Sequence, residues 1–474
     1  MHINRLPDLS RRAFLQRATA LATVGAAAPL AMNLAAVGEA AAFDATDYKA
    51  LVCVFFFGGN DYGNTVIPYD TTNYDLYSAI RGGGPGRTAG GIALGRSALA
   101  GTVLNPVTPQ VLTDNIQYAL APEMTGMAGL FNAGHAAVQL NVGPLEVPLT
   151  LAQYNSGDKN YPLPPKLFSH NDQQSIWQAL GSEGATVGWG GRIGDFALSS
   201  NATSMLTCIS AAGNAVFVSG QTTLQYQISP TGAIQIWPAL YGAFNAMPGN
   251  TLKSLITQTS SNVMENEFAR VTKRSMDLES VVNGALSPVT LATNFHPSGK
   301  PNNLADQLKI VARLIGARNT LCAKRQVFFV SLGGFDNHDG LIENHPGLMA
   351  TFDEAISAFY ASTIEMGVAN KVTTFTASDF GRTLASNGNG SDHGWGGHHF
   401  VVGGAVKGGQ FYGTAPHVSL TTDDQVGQGR LLPSTSVDEL AATLAKWFGA
   451  SSTEIPQILP RIGRFATPDI GFMS

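Results

Sequence analysis

Apolar residues along this chain fall into short, closed runs, and the longest of these read as strands. Lys49–Phe57 (KALVCVFFF) is almost unbroken in its apolar character and is closed by Gly58-Gly59, the pattern of a strand buried on both faces. Ala136–Val142 (AAVQLNV), Gln326–Leu332 (QVFFVSL), Val372–Ala377 (VTTFTA) and Phe400–Gly403 repeat it. Between these runs the period changes. Leu304, Leu308, Val311, Ala312 and Ile315 recur at helical spacing within 304–321. Ser169–Leu180 (SHNDQQSIWQAL) predicts a helix with Ser169 or Asn171 as its N-cap. A further helix is expected within 347–366. Ser436-Val437-Asp438-Glu439 has capping-box spacing ahead of a helix ending near Phe448. Ser204–Ser219 carries two short strand-like runs. Apolar strands alternating with helices predict an α/β fold with a mostly parallel central sheet and helices on both faces.

Two stretches break this alternation. Residues 81–101 carry eight glycines and predict a long surface loop or lid. Residues from about 220 to 300 show weaker periodicity and read as an insertion, partly helical between Leu252 and Val282. The 474-residue length fits two or three domains, or one large α/β domain with long insertions. Only 13% of residues are charged, against about 25% in an average domain. With 44% hydrophobic residues, disorder driven by charge repulsion is excluded. Lys and Arg (28) are fewer than Asp and Glu (33), and no basic run appears, so nucleic acid is not an expected partner. The 53 glycines have no triplet period, which excludes collagen. Cys53, Cys208 and Cys322 make no disulfide framework; one bridge is open in an oxidising compartment, but buried free thiols are the simpler reading.

The first 42 residues read as a targeting segment. Ser10-Arg11-Arg12-Ala13-Phe14-Leu15-Gln16 precedes a weakly apolar run from Ala18 to Val37, and Ala40-Ala41-Ala42 offers small residues for a signal peptidase. This resembles a bacterial twin-arginine (Tat) export signal, which implies the Tat translocase as a partner during export and a periplasmic or secreted destination. The run is interrupted by Gly25, Pro29 and Asn33 and is poor in Leu and Ile, so it inserts weakly into lipid. Removing it takes away four arginines against Asp8 and Glu39 and leaves a net charge of about −7. No stable membrane span is expected in the mature protein.

The strongest chemical pattern is positional. Strand 49–57 is followed by Gly58-Gly59-Asn60-Asp61, strand 326–332 by Gly333-Gly334-Phe335-Asp336-Asn337-His338, and strand 372–377 by Ser378-Asp379. In open α/β sheets ligands bind beyond the carboxyl ends of the strands. Carboxylates crowded there repel one another unless a cation neutralises them. Five of the ten histidines lie between 338 and 399, most densely in Asp392-His393-Gly394-Trp395-Gly396-Gly397-His398-His399. Asp and His together are the ligand mix favoured by Zn²⁺ and suit Mn²⁺ and Fe. Each such Asp can equally be a helix N-cap or turn residue. His135, His296, His345 and His417 read as plain surface histidines. Ser169, at a helix N-terminus beside free N–H groups, is a candidate nucleophile toward phosphate or sulfate and equally a simple N-cap.

The blocks Phe56–Pro68, Leu120–Met124, Ser169–Gln174, Gly188–Arg192, Phe328–His338, Ser378–Thr383 and Asp392–Gly396 occur in the order seen in the DUF1501 family of exported bacterial proteins, which the chain closely resembles. That family resembles the alkaline phosphatase/sulfatase superfamily. The resemblance implies an alkaline-phosphatase-like domain over residues 43–474, with the 220–300 insertion. It also implies one or two divalent metals (Zn, Mn, Mg or Ca) and a small anionic ester as substrate. Asp61, Asp336, His338, Asp379 and His393 are the implied ligands, with Asp392, His398 and His399 as further candidates and Asp392-His393 as an alternative to Asp379 for the later strand's ligand pair. Ser169 falls where the nucleophile would sit. Arg382, Arg192 and Asn64 are candidates for contacting the substrate. The departures, Asp336-x-His338 and Asp379-Phe380, leave open a non-catalytic binding protein on the same scaffold.

Overall fold

The computed structural model describes residues 43–83, 91–234 and 249–474. The export signal expected over 1–42, residues 84–90 of the glycine-rich loop and residues 235–248 of the expected insertion lie outside the described residues.

In chain order the strands are β1 (Lys49–Phe57), β2 (Val66–Pro68), β3 (Tyr118–Leu120), β4 (Ala136–Gly143), β5 (Cys208–Ser210), β6 (Tyr226–Ser229), β7 (Gly232–Ala233), β8 (Arg325–Gly333), β9 (Val372–Ser378), β10 (Gly397–Gly403), β11 (Phe411–Tyr412) and β12 (Thr435–Ser436). Ten of them form one sheet in the order β11-β4-β10-β9-β1-β8-β5-β6-β7, with β12 also on β4, while β2 and β3 pair separately. β1 pairs in parallel with both β8 and β9. The parallel run continues through β5 and β6. β10 runs antiparallel to β9 and β4, and β7 runs antiparallel to β6. The sheet is therefore mixed but mostly parallel, as the apolar runs predict.

The helices used below are α1 (Thr71–Ile80), α2 (Thr125–Asn132), α3 (His170–Ala179), α4 (Trp189–Ala197), α5 (Gly249–Thr257), α6 (Val263–Leu286), α7 (Asn303–Gly316), α8 (Leu341–Glu365) and α9 (Val437–Phe448). Alternation along β1 assigns the two faces. Val52, Val54 and Phe56 join a cluster with residues of α2, α7 and α8. Leu51, Cys53 and Phe55 join another with Trp177 of α3, Trp189 of α4 and residues of α9. Fully burying one such Phe or Val contributes about 1.5–3 kcal/mol, so a two-faced strand of this kind is a firm floor for whatever emerges at its end.

Several elements differ from the sequence expectation. α8 begins at Leu341, ahead of the expected 347, and keeps Pro346 inside it. Leu341, His345 and Met349 are all buried on one side, and that packing holds the first turns despite the amide that Pro346 lacks. Only Cys208–Ser210 of the two runs in 204–219 becomes a strand; Val216–Val218 forms a 3₁₀ turn under α4. Gly191 explains the close approach, since a Cβ there would overlap the Ser219 backbone. The expected insertion contributes β6 and β7 to the sheet edge, and its helices among the described residues are α5 and α6. Cys53 and Cys208 are buried free thiols, whereas Cys322 is exposed. The Ser436/Glu439 capping box is formed as expected.

Candidate metal centre

Register brings the functional loops to one level. Phe57 of β1 lies opposite Gly333 of β8, and Phe56 opposite Ser378 of β9, so the three chains leave the sheet side by side. Gly58 then turns at φ +115, where a Cβ would overlap the Asp336 backbone nitrogen. Its own N–H donates to Asp379 Oδ2 at 3.1 Å. This one glycine therefore touches both neighbouring loops.

Asp336 is the hub. It stands on the rim with 46% of its side chain exposed. Its Oδ1 accepts from Arg382 Nη1 at 2.7 Å, lies 2.9 Å from His338 Nδ1 and lies 3.3 Å from His393 Nε2; its Oδ2 lies 3.4 Å from His170 Nε2. Burial works to raise the Asp336 carboxyl, but Arg382 outweighs it and the pKa falls below the usual carboxylate value. His170, the first residue of α3, donates from Nδ1 to Asp379 Oδ2 at 2.6 Å, and this bond raises its pKa. His393 donates from Nδ1 to the Phe168 carbonyl at 2.7 Å; burial lowers its pKa. The His170 and His393 rings meet edge to face at 4.3 Å, and the Phe380 ring packs against both. Ligand-capable atoms of His170, Asp336 and His393 all lie within 4.8 Å of one another.

The other expected residues take varied places. Asp379 is fully buried, and its Oδ2 accepts from Gly58 N, His170 Nδ1 and Gln174 Nε2. His338 is on the rim, its ring against His393 at 4.6 Å. Asp61 is buried one layer behind: it caps Asn64 N, pairs with Arg81 at 2.9 Å and accepts from Ser391 Oγ at 2.7 Å. Burial works to raise its pKa, but Arg81 and the Ser391 hydroxyl hold it below the usual value. Asn64 is enclosed, bonded to Ile92 O and Tyr77 Oη. Asp392 accepts from Asn387 Nδ2, away from the hub. His398 packs on Tyr62 and Tyr118, and His399 on Trp177, so the pair sits in the core on opposite faces of β10. Arg382 is buried, with its guanidinium on Asp336, Gly58 O, and the Ser391 hydroxyl and carbonyl. Arg192 donates to Ile458 O. Ser169 is the α3 N-cap, and its hydroxyl donates to Asp172 Oδ2 at 2.9 Å.

Besides His398 and His399, two further histidines depart from the sequence reading. His345 is not a surface residue: it is buried, with Nε2 3.1 Å from Asn60 Oδ1. In the Ser-His-Asn-Asp motif at the start of α3 the sequence points to Ser169, whereas the structure brings its neighbour His170 to the hub.

Buried imidazoles set an expected pH response. Burial lowers His345 to about 4 and His398 and His399 to about 3. Unfolded, each titrates near 6.5, so the unfolded chain takes up protons that the folded chain refuses, and stability is lost as pH falls from about 6.5. Asp353 and Asp438, raised to about 6 by burial, act in the opposite sense between about pH 6 and 4, because they bind protons first in the folded state. The three imidazoles begin to take up protons in the unfolded chain near pH 6.5, above the range in which the two carboxyls act, so stability should fall as pH is lowered from about 7 to 6. Denaturant melts across this range should show that slope, flattened in His399→Gln. A flat or inverted profile in the parent protein would contradict the neutral core histidines.

Residues 48–455 match the family described as "Protein of unknown function (DUF1501)". No curated protein matches the sequence. Among solved structures, the PsFucS1 sulfatase from Pseudoalteromonas sp. is similar at 9% identity and TM-score 0.36, covering 98% of this chain and 76% of that one. The lipoteichoic acid synthase LtaP from Listeria monocytogenes is similar at 8% identity and TM-score 0.33, over 86% and 74% of the two chains. Wild-type alkaline phosphatase PafA is similar at 10% identity and TM-score 0.28, over 73% and 65%.

Proposed function

The chain belongs to the DUF1501 family, and we propose that it is an exported, metal-dependent hydrolase of phosphate or sulfate esters. One observation carries this reading: two imidazoles and a carboxylate converge beyond the carboxyl ends of parallel strands, on a rim open to solvent. The donors fit a divalent cation. His170 Nε2 is a buried nitrogen with no hydrogen-bond partner, and it faces the Asp336 carboxylate. A bound cation would supply Lewis-acid chemistry toward an anionic ester oxygen. The residues hold the geometry: Asp379 and the Phe168 carbonyl fix the two imidazoles, and Arg382 anchors Asp336. His338, 42% exposed, stands beside this carboxylate with Nδ1 2.9 Å from Asp336 Oδ1.

Export rests on the twin-arginine motif and small-residue cleavage site of residues 1–42, with the Tat translocase as the transient partner and the periplasm or exterior as destination. Among the described residues no helix is long and apolar enough to cross a membrane. A second reading, a non-catalytic binding protein on this scaffold, draws on Arg382, Arg192 and Ser169, whose polar groups are engaged inside the protein.

The test is a panel of p-nitrophenyl phosphate monoester, phosphate diester and sulfate assayed with the mature chain. Turnover that chelator abolishes and a divalent ion restores is the expected result. A blank panel with the metal bound would favour the second reading.

A further inference from the structure

We propose that the site takes a single zinc-class ion, held by His170 Nε2, His393 Nε2 and the Asp336 carboxylate, with the buried guanidiniums of Arg81 and Arg382 standing where a second cation would otherwise be needed. This deepens the metal reading above and does not depend on hydrolysis.

Hydrogen bonding decides which imidazole atom faces the ion. The Phe168 carbonyl can only accept, so His393 Nδ1 carries the proton and the neutral ring presents its lone pair at Nε2. Asp379 Oδ2, which also receives Gln174 Nε2 and Gly58 N–H, does the same for His170. Metal-binding histidines characteristically have their other nitrogen held by a carboxylate or backbone carbonyl, and here both are.

Spacing agrees. Ligands about 2.0–2.1 Å from a tetrahedral ion lie about 3.3–3.4 Å from one another. His170 Nε2 lies 3.4 Å from Asp336 Oδ2 and His393 Nε2 lies 3.3 Å from Oδ1, so each imidazole faces its own oxygen of the carboxylate, and the three groups offer ligand atoms within 4.8 Å of one another. Two nitrogens and one carboxylate suit zinc and ions of similar preference, whereas Mg²⁺ and Ca²⁺ favour all-oxygen sets. The exposed side of Asp336 leaves a position for solvent or substrate, as in three-ligand catalytic sites.

The count of one follows from the charges behind the hub. Asp61, the remaining post-strand carboxylate, already has Arg81 at 2.9 Å, and Ser391 links it to Arg382. Guanidinium groups stay charged in proteins. A second dication beside Asp61 would meet two buried positive charges in a poorly screened interior.

The experiment titrates chelator-stripped mature chain with Zn²⁺ calorimetrically and counts bound metal by elemental analysis. One Zn²⁺ per chain is expected, undisturbed by a large excess of Mg²⁺ or Ca²⁺. His170→Ala and His393→Gln should each weaken binding by more than about 100-fold, and Asp379→Asn, through its positioning role, by about 10–100-fold with the stoichiometry kept at one. Asp392→Asn should bind as the parent does. Circular dichroism of every variant separates ligand loss from unfolding. Two ions per chain, displacement by Mg²⁺ or Ca²⁺, absence of zinc binding, or unchanged affinity in folded His170→Ala would each overturn the proposal. Zinc bound one to one without turnover on the ester panel would support it while counting against the hydrolase reading.

Discussion

Replacing Arg81 by leucine is expected to destabilise the fold by about 3–5 kcal/mol, because it strands a buried carboxylate. Neither side chain of the Arg81–Asp61 pair reaches solvent appreciably. Arg81 Nη1 also donates to the Leu384 carbonyl at 3.1 Å, so the same guanidinium ties the end of α1 to the loop beyond β9. Without it, Asp61 would keep only Ser391 Oγ and Asn64 N. Two short neutral partners do not replace a cation in that setting. Denaturant unfolding at neutral pH measures the loss. The double variant Arg81→Leu/Asp61→Asn should recover part of it, since no bare charge remains. A single-variant loss below about 1 kcal/mol would mean that Asp61 is hydrated or neutral and that the pair is not the buried anchor described here.

Asp336→Ala should lower kcat/KM for ester hydrolysis by at least about 100-fold, more than loss of an outer supporting group, which typically costs 10–100-fold. Asp336 is the carboxylate facing both imidazole Nε2 atoms and anchoring Arg382. The stability cost should be smaller than that of Arg81→Leu, since the Asp336 end of the pair is nearly half exposed and Arg382 keeps Gly58 O and Ser391. His338→Ala should act differently, with a smaller fall in kcat, since its ring stands beside Asp336 and outside the three groups that converge. Equal activity in the parent and Asp336→Ala would remove the hub from the chemistry.

Much of this was legible in the sequence. β1 is announced by an apolar run ending in Gly58-Gly59, and the same grammar gives β8 and β9 and the loops that carry Asp336 and Asp379. What the grammar does not contain is the fate of each carboxylate. Asp61, Asp336 and Asp379 share one position after a strand, yet one is paired inside the protein, one stands on the rim and one supports a histidine. Arg81 makes the first difference by folding back from the end of α1, a tertiary contact with no local signature. The His398-His399 pair reads as loop because of the glycines around it. β10 instead begins at Gly397, and strand alternation drives the two rings into the core on opposite faces. His170 stayed hidden because a serine at a helix start draws attention, while a histidine there acquires meaning only when Asp379 arrives from two hundred residues away.

The most direct test of the central claim is anomalous diffraction at the zinc edge from crystals of the mature chain grown with Zn²⁺. The account predicts one peak, within about 2.0–2.2 Å of His170 Nε2, His393 Nε2 and an Asp336 carboxylate oxygen. A peak that excludes His170, a second peak at Asp61, or no peak in zinc-replete crystals would contradict it.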